Sequence, residues 1–509
     1  MQHISVKKET VRIALDATVL FIAIWLARSA WWIARTFRGV TMGKLIYHAS
    51  SSRESVASWV FQYYTTDVLL GTLGVLFIYL GVRVWIAMGA RLGGPRLARI
   101  CRTIARPWIQ TIIVVLVLLG CLGYAAIKLH VPEYIAAVRT PSTFIEDNYV
   151  DPRTAHVEFP EEKRNLLYIY LESMENTYGG VDVGGIEPVS LIPNLTRRTF
   201  APNTVSFSHT DGLGGFYNAE GTNWTAAAMV AQTAGIPIMF TLRSAASIDY
   251  DEFLPGAFAL GDVLAREGYQ QTLLVGSNGV FGQREAYFTT HGDYRIFDLR
   301  YVEEHELIDE RSGTWGFNDY LLFDFAKDEL TRMAAEPEPF NLTMLTVDTH
   351  FSDGDVCPLC VEEFDMQYQF VIACADRQIE EFLRWVEAQP WFEDTTVIVV
   401  GDHVTMDITY NETVPDDFEQ TVYNLFLNVA PGVEPAPGAT TQRTFIATDL
   451  YPTTLAAMGA RVPGDRLGLG TNLFSGTPTL AERYGVERLH EEFQRFSRFY
   501  ADEILRDPR

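Results

Sequence analysis

Thr396-Val-Ile-Val-Val-Gly-Asp402-His403 carries an apolar, β-branched run straight into two hard metal ligands, and Asn165-Leu-Leu-Tyr-Ile-Tyr-Leu-Glu172, more than two hundred residues earlier, ends in the same manner. Short continuous runs of this kind read as strands buried on both faces, and open α/β sheets place their chemistry just beyond the carboxyl ends of such strands. Glu172, Asp402 and His403 are therefore expected on one rim. Two carboxylates and an imidazole there suit a divalent cation, with Mn²⁺ or Mg²⁺ preferred and Zn²⁺ possible.

Similar runs recur near Leu166 to Leu171, Thr272 to Val275, Leu342 to Val347, Val397 to Val400 and Tyr423 to Val429, interleaved with helical stretches such as Val371 to Ala388. Such alternation implies crossover helices and an α/β class: a mainly parallel sheet flanked by helices, in one domain over 165–509. Residues 132–164, with Pro141, Pro152 and Pro160 among many charges, read as a linker or a strap on the domain surface.

The first 131 residues read differently. Apolar stretches at about 13–34, 68–88 and 107–127 are each long enough to cross a bilayer, although Asp16 and Arg28 interrupt the first and Arg83 the second. Trp25, Trp31 and Trp32 fit an interfacial belt. A cleaved signal peptide fits poorly, since two more spans follow and no small-residue cleavage site is evident. Arg91, Arg96, Arg99, Arg102 and Arg106 fill the loop between the second and third spans, without an acidic residue, and Lys7, Lys8 and Arg12 precede the first. By the positive-inside rule both segments are cytoplasmic. The expected protein is thus a multi-pass inner (cytoplasmic) membrane protein with 165–509 on the periplasmic or extracellular side.

Up to Val131 there are 15 Lys and Arg against 4 Asp and Glu, leaving 25 against 60 in the remainder, a charge of −35. So acidic a domain argues against nucleic acid as a partner, because backbone binding needs a basic surface. Of the five cysteines, Cys101 and Cys121 lie in the membrane half and Cys357, Cys360 and Cys374 in the exported half. Cys357-Pro-Leu-Cys360 could be half a zinc site or a redox pair, but no second such motif follows, and a disulfide from one of the pair to Cys374 is expected.

A nucleophile would turn a metal rim into a catalyst. In Asn218-Ala-Glu-Gly-Thr222-Asn-Trp-Thr-Ala-Ala-Ala-Met229, Gly221 permits a tight turn and the Ala-rich run reads as a helix, which places Thr222 at a helix start. A phosphate is favoured there, and a cation on the hydroxyl would lower its pKa. The alternative is an ordinary capping threonine.

Taken in order, Asn165-Leu-Leu-Tyr-Ile-Tyr-Leu-Glu-Ser-Met-Glu175, Gly221-Thr-Asn-Trp-Thr225, Leu345-Thr-Val-Asp-Thr-His350 and Gly401-Asp-His403 resemble the phosphoglycerol transferases of the alkaline phosphatase and sulfatase superfamily, above all the membrane-bound enzymes that decorate periplasmic glucans. Lipoteichoic acid synthases are more distantly similar. The likeness runs from about Pro160 to Gly476 and includes Arg466-Leu-Gly-Leu-Gly470. It implies the sulfatase-like fold and phosphoglycerol transfer from phosphatidylglycerol, a membrane lipid, to a glycan acceptor through a phosphoglyceryl-threonine. It also implies Glu172, Thr222, Asp402 and His403 as metal ligands, with Thr222 also the nucleophile. His350 matches a histidine facing the phosphoryl or glycerol group, and Arg284, in Val280-Phe-Gly-Gln-Arg284, a phosphate-clamping arginine, although Gly282 stands where an aromatic residue is usual. Cys357 and Cys374 lie where the glucan-modifying relatives have a cysteine pair. Phosphoethanolamine transfer, hydrolysis to water and a non-catalytic tethered module are the competing readings; a sulfatase would need a CxPxR or SxPxR motif, which the exported half lacks.

Overall fold

The computed structural model describes residues 2–37, 39–51, 62–241, 251–308 and 311–506. The chain divides into two compact units, Met1–Leu45 with Val56–Ala136, and Ile46–Ser55 with Ala137–Arg509.

Among its described residues the smaller unit contains three helices long and apolar enough to cross a membrane, Glu9–Thr36, Gln62–Leu92 and Pro107–Lys128. The polar residues that interrupt them meet one another. Arg83 Nη1 lies 3.6 Å from Asp16 Oδ2, Arg12 Nη2 donates to Gln110 Oε1 at 3.4 Å, and Arg28 Nε donates to the Asp67 carbonyl at 3.0 Å. A charge in an apolar helix is costly unless it finds a partner inside the bundle, and these contacts supply the partners.

The larger unit is organised around a seven-stranded sheet of β1 (Asn165–Leu171), β2 (Thr204–Val205), β3 (Gln270–Val275), β4 (Arg295–Phe297), β5 (Phe340–Leu345), β6 (Thr395–Gly401) and β7 (Asn424–Leu427), in the order β2-β7-β6-β1-β5-β3-β4. Strands β6, β1, β5, β3 and β4 are parallel; β7 and β2 add an antiparallel edge. Leu167, Ile169 and Leu171 on one face of β1 join a core with Leu322, Ala326 and Leu330 of the helix Asp319–Met333 and Ile372, Ile379 and Phe382 of the helix Gln367–Glu387. Tyr168 and Tyr170 alternate with them, and the Tyr168 hydroxyl donates to Gln232 Oε1 at 2.9 Å on the helix Thr225–Ala234. Cover on both faces explains why β1 and β6 are continuously apolar.

β5 stops at Leu345, two residues before the end of the apolar run, because the Asp319 carboxylate takes over the backbone: Val347 N donates to Oδ1 at 2.7 Å and Asp348 N to Oδ2 at 3.1 Å. The segment after residue 140 follows the surface of this unit, bridging Val150 to Gly468 and Glu158 to Arg461.

Cys360 is bonded to Cys374, and Cys357 is a free, buried thiol whose Sγ lies 3.5 Å and 3.9 Å from their sulfurs. One member of the Cys-x-x-Cys pair thus reaches Cys374, but it is Cys360, not the Cys357 that the resemblance implies.

Asp376, buried on the helix Gln367–Glu387, caps the short helix Pro193–Thr199 by accepting from Asn194 N at 3.0 Å and Leu195 N at 2.9 Å. Asp376→Ala strands both amides and is expected to lower stability by about 2–4 kcal/mol. Thermal melting of the full chain in detergent checks this, and an unchanged melting temperature would contradict it.

Candidate active site

Leu171 of β1 pairs with Gly401 of β6, so the residues that follow, Glu172 and Asp402, leave the sheet side by side. Glu172 is 2% exposed, and Asp402 and His403 are fully buried. His403 Nε2 lies 3.6 Å from Glu172 Oε1 and 3.3 Å from Asp402 Oδ2. His403 Nδ1 sits 2.8 Å from the Val404 carbonyl. A carbonyl only accepts, so Nδ1 carries a hydrogen, and Nε2 is the ring nitrogen turned toward the carboxylates.

Asp402 Oδ1 accepts from Ser173 N and His403 N, both at 2.8 Å, whereas the buried Oδ2 has no hydrogen-bond partner. Burial, and next the charge of Asp402, raise the Glu172 pKa well above the usual carboxylate range. Two carboxylates facing each other out of water with an orphaned oxygen call for a cation. One ligand atom each from Glu172, Asp402 and His403 falls within a 4.8 Å span, and a set of two hard oxygens and one imidazole nitrogen fits Mn²⁺, Mg²⁺ or Zn²⁺.

The hydroxyl beside this cluster belongs to Thr225. Its Oγ1 lies 3.4 Å from Glu172 Oε2 and 3.4 Å from His403 Nε2, and Thr225 is the first residue of the helix Thr225–Ala234. The expectation that Thr222 opens this helix is corrected by three residues. Thr222 closes a tight loop instead: its hydroxyl donates to the Ala219 carbonyl at 3.1 Å and accepts from Ala219 N at 3.1 Å. Gly221 makes the loop possible with φ +73°, and a side chain there would strike the Ile238 carbonyl, to which a Cβ would come within 2.6 Å. Trp224 then runs extended before the helix begins. The sequence did hold a signal for Thr225, since the alanine run starts immediately after it.

His350 follows β5 and is partly exposed. Its Nδ1 lies 2.7 Å from the Phe351 carbonyl, so Nε2 is the bare nitrogen, and burial pushes its pKa down to about 4, leaving the ring neutral. Trp315 packs 4.4 Å from it, centroid to centroid, and Phe281 lies 5.7 Å beyond Trp315. Neither aromatic neighbour was singled out from the sequence. Arg284 is only 5% exposed. Nε donates to the Phe281 carbonyl at 3.0 Å, and Nη2 donates to Ser277 Oγ at 3.0 Å and the Asn278 carbonyl at 2.8 Å, while Nη1 takes part in none of these bonds. Burial lowers its pKa, opposed by the charges of Glu172, Asp298 and Asp402, and His350 is in electrostatic reach of His403, Asp402 and Arg284. One rim therefore gathers two carboxylates, two imidazoles, a hydroxyl at a helix N-terminus and a buried guanidinium.

The chain belongs to the sulfatase family, whose profile matches residues 164–460, more than half of its length. Among curated proteins it is similar to phosphoglycerol transferase I of Salmonella paratyphi B and of Salmonella newport, at 27% identity over 427 residues in each case. The match takes in 79% of this chain and 52% of each relative, so the chain spans about half the length of the curated relatives it matches. Among solved structures it is similar to the integral membrane protein lipooligosaccharide phosphoethanolamine transferase A from Neisseria meningitidis, with a TM-score of 0.50 and 12% identity over 88% of this chain and 84% of that one. At that identity the likeness bears on the fold alone.

Proposed function

We propose that the chain is a membrane-bound enzyme that moves phosphoglycerol from phosphatidylglycerol to a glycan hydroxyl, with periplasmic glucan the favoured acceptor, through a phosphoglyceryl ester on Thr225. The contact of Thr225 Oγ1 with both Glu172 and His403 carries this proposal, because it sets a nucleophile against the cation-holding residues. Likeness to phosphoglycerol transferase I supports the choice of phosphoglycerol.

In the first half-reaction the Thr225 oxygen forms a bond to phosphorus as the bond to the diacylglycerol oxygen breaks, and the hydroxyl proton ends on the departing diacylglycerol. His350, neutral with Nε2 bare, is suited to relay that proton. Arg284 offers Nη1 to the phosphoryl oxygens, and the amides opening the helix Thr225–Ala234 add dipolar stabilisation. An acceptor hydroxyl then attacks phosphorus, and its proton restores the Thr225 hydroxyl. A divalent cation bound by Glu172, Asp402 and His403 would lower the pKa of the threonine hydroxyl and neutralise charge on the phosphoryl group. The three apolar helices are taken to span the inner membrane, and the arginines from Arg91 to Arg106 support an orientation with the larger unit outside. Tethering to the membrane keeps the enzyme in the compartment of its proposed lipid donor.

A degenerate, non-catalytic tether is disfavoured, since the ligands and the hydroxyl are all in place. To test the proposal, the full chain in mixed micelles is given headgroup-labelled phosphatidylglycerol with and without glucan. Mass spectrometry is expected to find phosphoglycerol on the peptide carrying Thr225, discharged when glucan is added. An unlabelled peptide overturns the covalent route, and discharge to water alone replaces the transferase with a hydrolase.

A further inference from the structure

Tyr47 lies in the helix Met42–Ser51, between the first two apolar helices in sequence, yet it groups with the larger unit and is wholly buried there. Its hydroxyl donates to the Gly282 carbonyl at 2.6 Å. Its ring packs 5.3 Å from Trp224, 5.6 Å from Phe240 and 6.2 Å from Phe253, between centroids. Gly282 and Gln283 both have positive φ, +67° and +61°, and the turn they form leads directly into Arg284. On its other side Gly282 presses against Ala226, whose Cβ lies 3.2 Å from where a Cβ on Gly282 would sit. A continuous stack therefore runs from Tyr47 through Gly282 to the residue after Thr225. A left-handed turn that includes a non-glycine residue is strained and needs its surroundings to hold it. The phenol bond on Gly282 is such a support, buried and far from its partner in sequence.

We infer that Tyr47 is a positioning residue of this active site, fixing the Gly282–Gln283 turn and through it the guanidinium of Arg284 that receives phosphate oxygens. The inference rests on the proposed role of Arg284 toward a phosphate ester, but not on which group is transferred or to what. Its consequence is that the segment between the first two apolar helices contributes to phosphate recognition, although every other site residue comes after Asn165.

The test uses the full chain in detergent with glycerol 1-phosphate as probe, titrated by calorimetry, alongside donor kinetics. Tyr47→Phe keeps the ring and removes only the hydroxyl; it is expected to weaken probe binding about fivefold and to raise the donor KM by a similar factor, with kcat nearly unchanged. In an Arg284→Ala background the same substitution is expected to change nothing, the signature of a residue acting through another. Equal binding by wild type and Tyr47→Phe, or a loss that persists undiminished without Arg284, overturns the inference. Should wild type fail to transfer phosphoglycerol while the Tyr47–Arg284 coupling holds in probe binding, the proposed function falls and the positioning role stands.

Discussion

Thr225→Ala is expected to reduce transfer by at least about a thousandfold, the scale on which loss of a nucleophile acts, while leaving the fold and the metal content intact. Among the described residues the Thr225 hydroxyl makes only its two 3.4 Å contacts with the cluster, so alanine removes the proposed nucleophile and little else. Thr225→Ser returns an oxygen at the same place and is expected to recover a measurable part of the rate. Thr222→Ala has a different signature. The hydroxyl it removes closes a loop three residues upstream, so the effect should be a modest loss of stability, about 1 kcal/mol, with covalent labelling still present. Rate measurements on the three variants, with melting temperatures recorded on the same samples, separate the two threonines. Full activity in Thr225→Ala, with inactivity in a stably folded Thr222→Ala, would reverse the assignment.

Removal of divalent metal by chelation is expected to abolish transfer and also to lower the melting temperature of the larger unit by about 5 °C. Both effects share one cause: Glu172 and the unpartnered Asp402 Oδ2 are buried facing each other. A ligand present at about a thousand times its dissociation constant stabilises the state that binds it by about 4 kcal/mol. Spread over the unfolding entropy of a domain of this size, that amounts to a shift on the order of 5 °C. Glu172→Gln should lose the activity and the response to metal together. Without metal, however, it should melt above metal-free wild type, because the amide removes one of two mutually repelling buried carboxylates. Metal-independent melting of the wild type would contradict the site; a Glu172→Gln protein less stable than metal-free wild type would contradict the electrostatic account of it.

The parts of this molecule visible in the sequence are those whose cause is local. β1 and β6 announce themselves because a parallel strand covered on both faces must be apolar throughout, and Glu172, Asp402 and His403 interrupt that rule where the sheet ends. Thr222 and Thr225 are different. Both can cap a helix, and what separates them is the loop held by Ala219, Gly221 and Ile238, whose closing contacts lie outside any local pattern. The disulfide partner was ambiguous for a similar reason, since Cys357 and Cys360 both lie within reach of Cys374. Tyr47 could not be found at all from local sequence, because its partner Gly282 is 235 residues away and neither residue is unusual alone. Arg284 was marked out only by the resemblance, and it is its burial that sets it apart from an ordinary surface arginine.

The register that pairs Leu171 with Gly401 also sets the timing of assembly. Glu172 leaves the ribosome some 230 residues before Asp402, and a growing chain that stops short of Thr395 has one acid of the cluster and neither of its other two members. Bringing the two strands together requires closure of a very long loop, a step that comes late in topologies dominated by distant contacts. Under the proposed function, cation uptake would therefore be a check on completion: a bound ion would report that the central sheet has closed, and a nascent or truncated chain would neither hold metal firmly nor act prematurely on the proposed lipid donor.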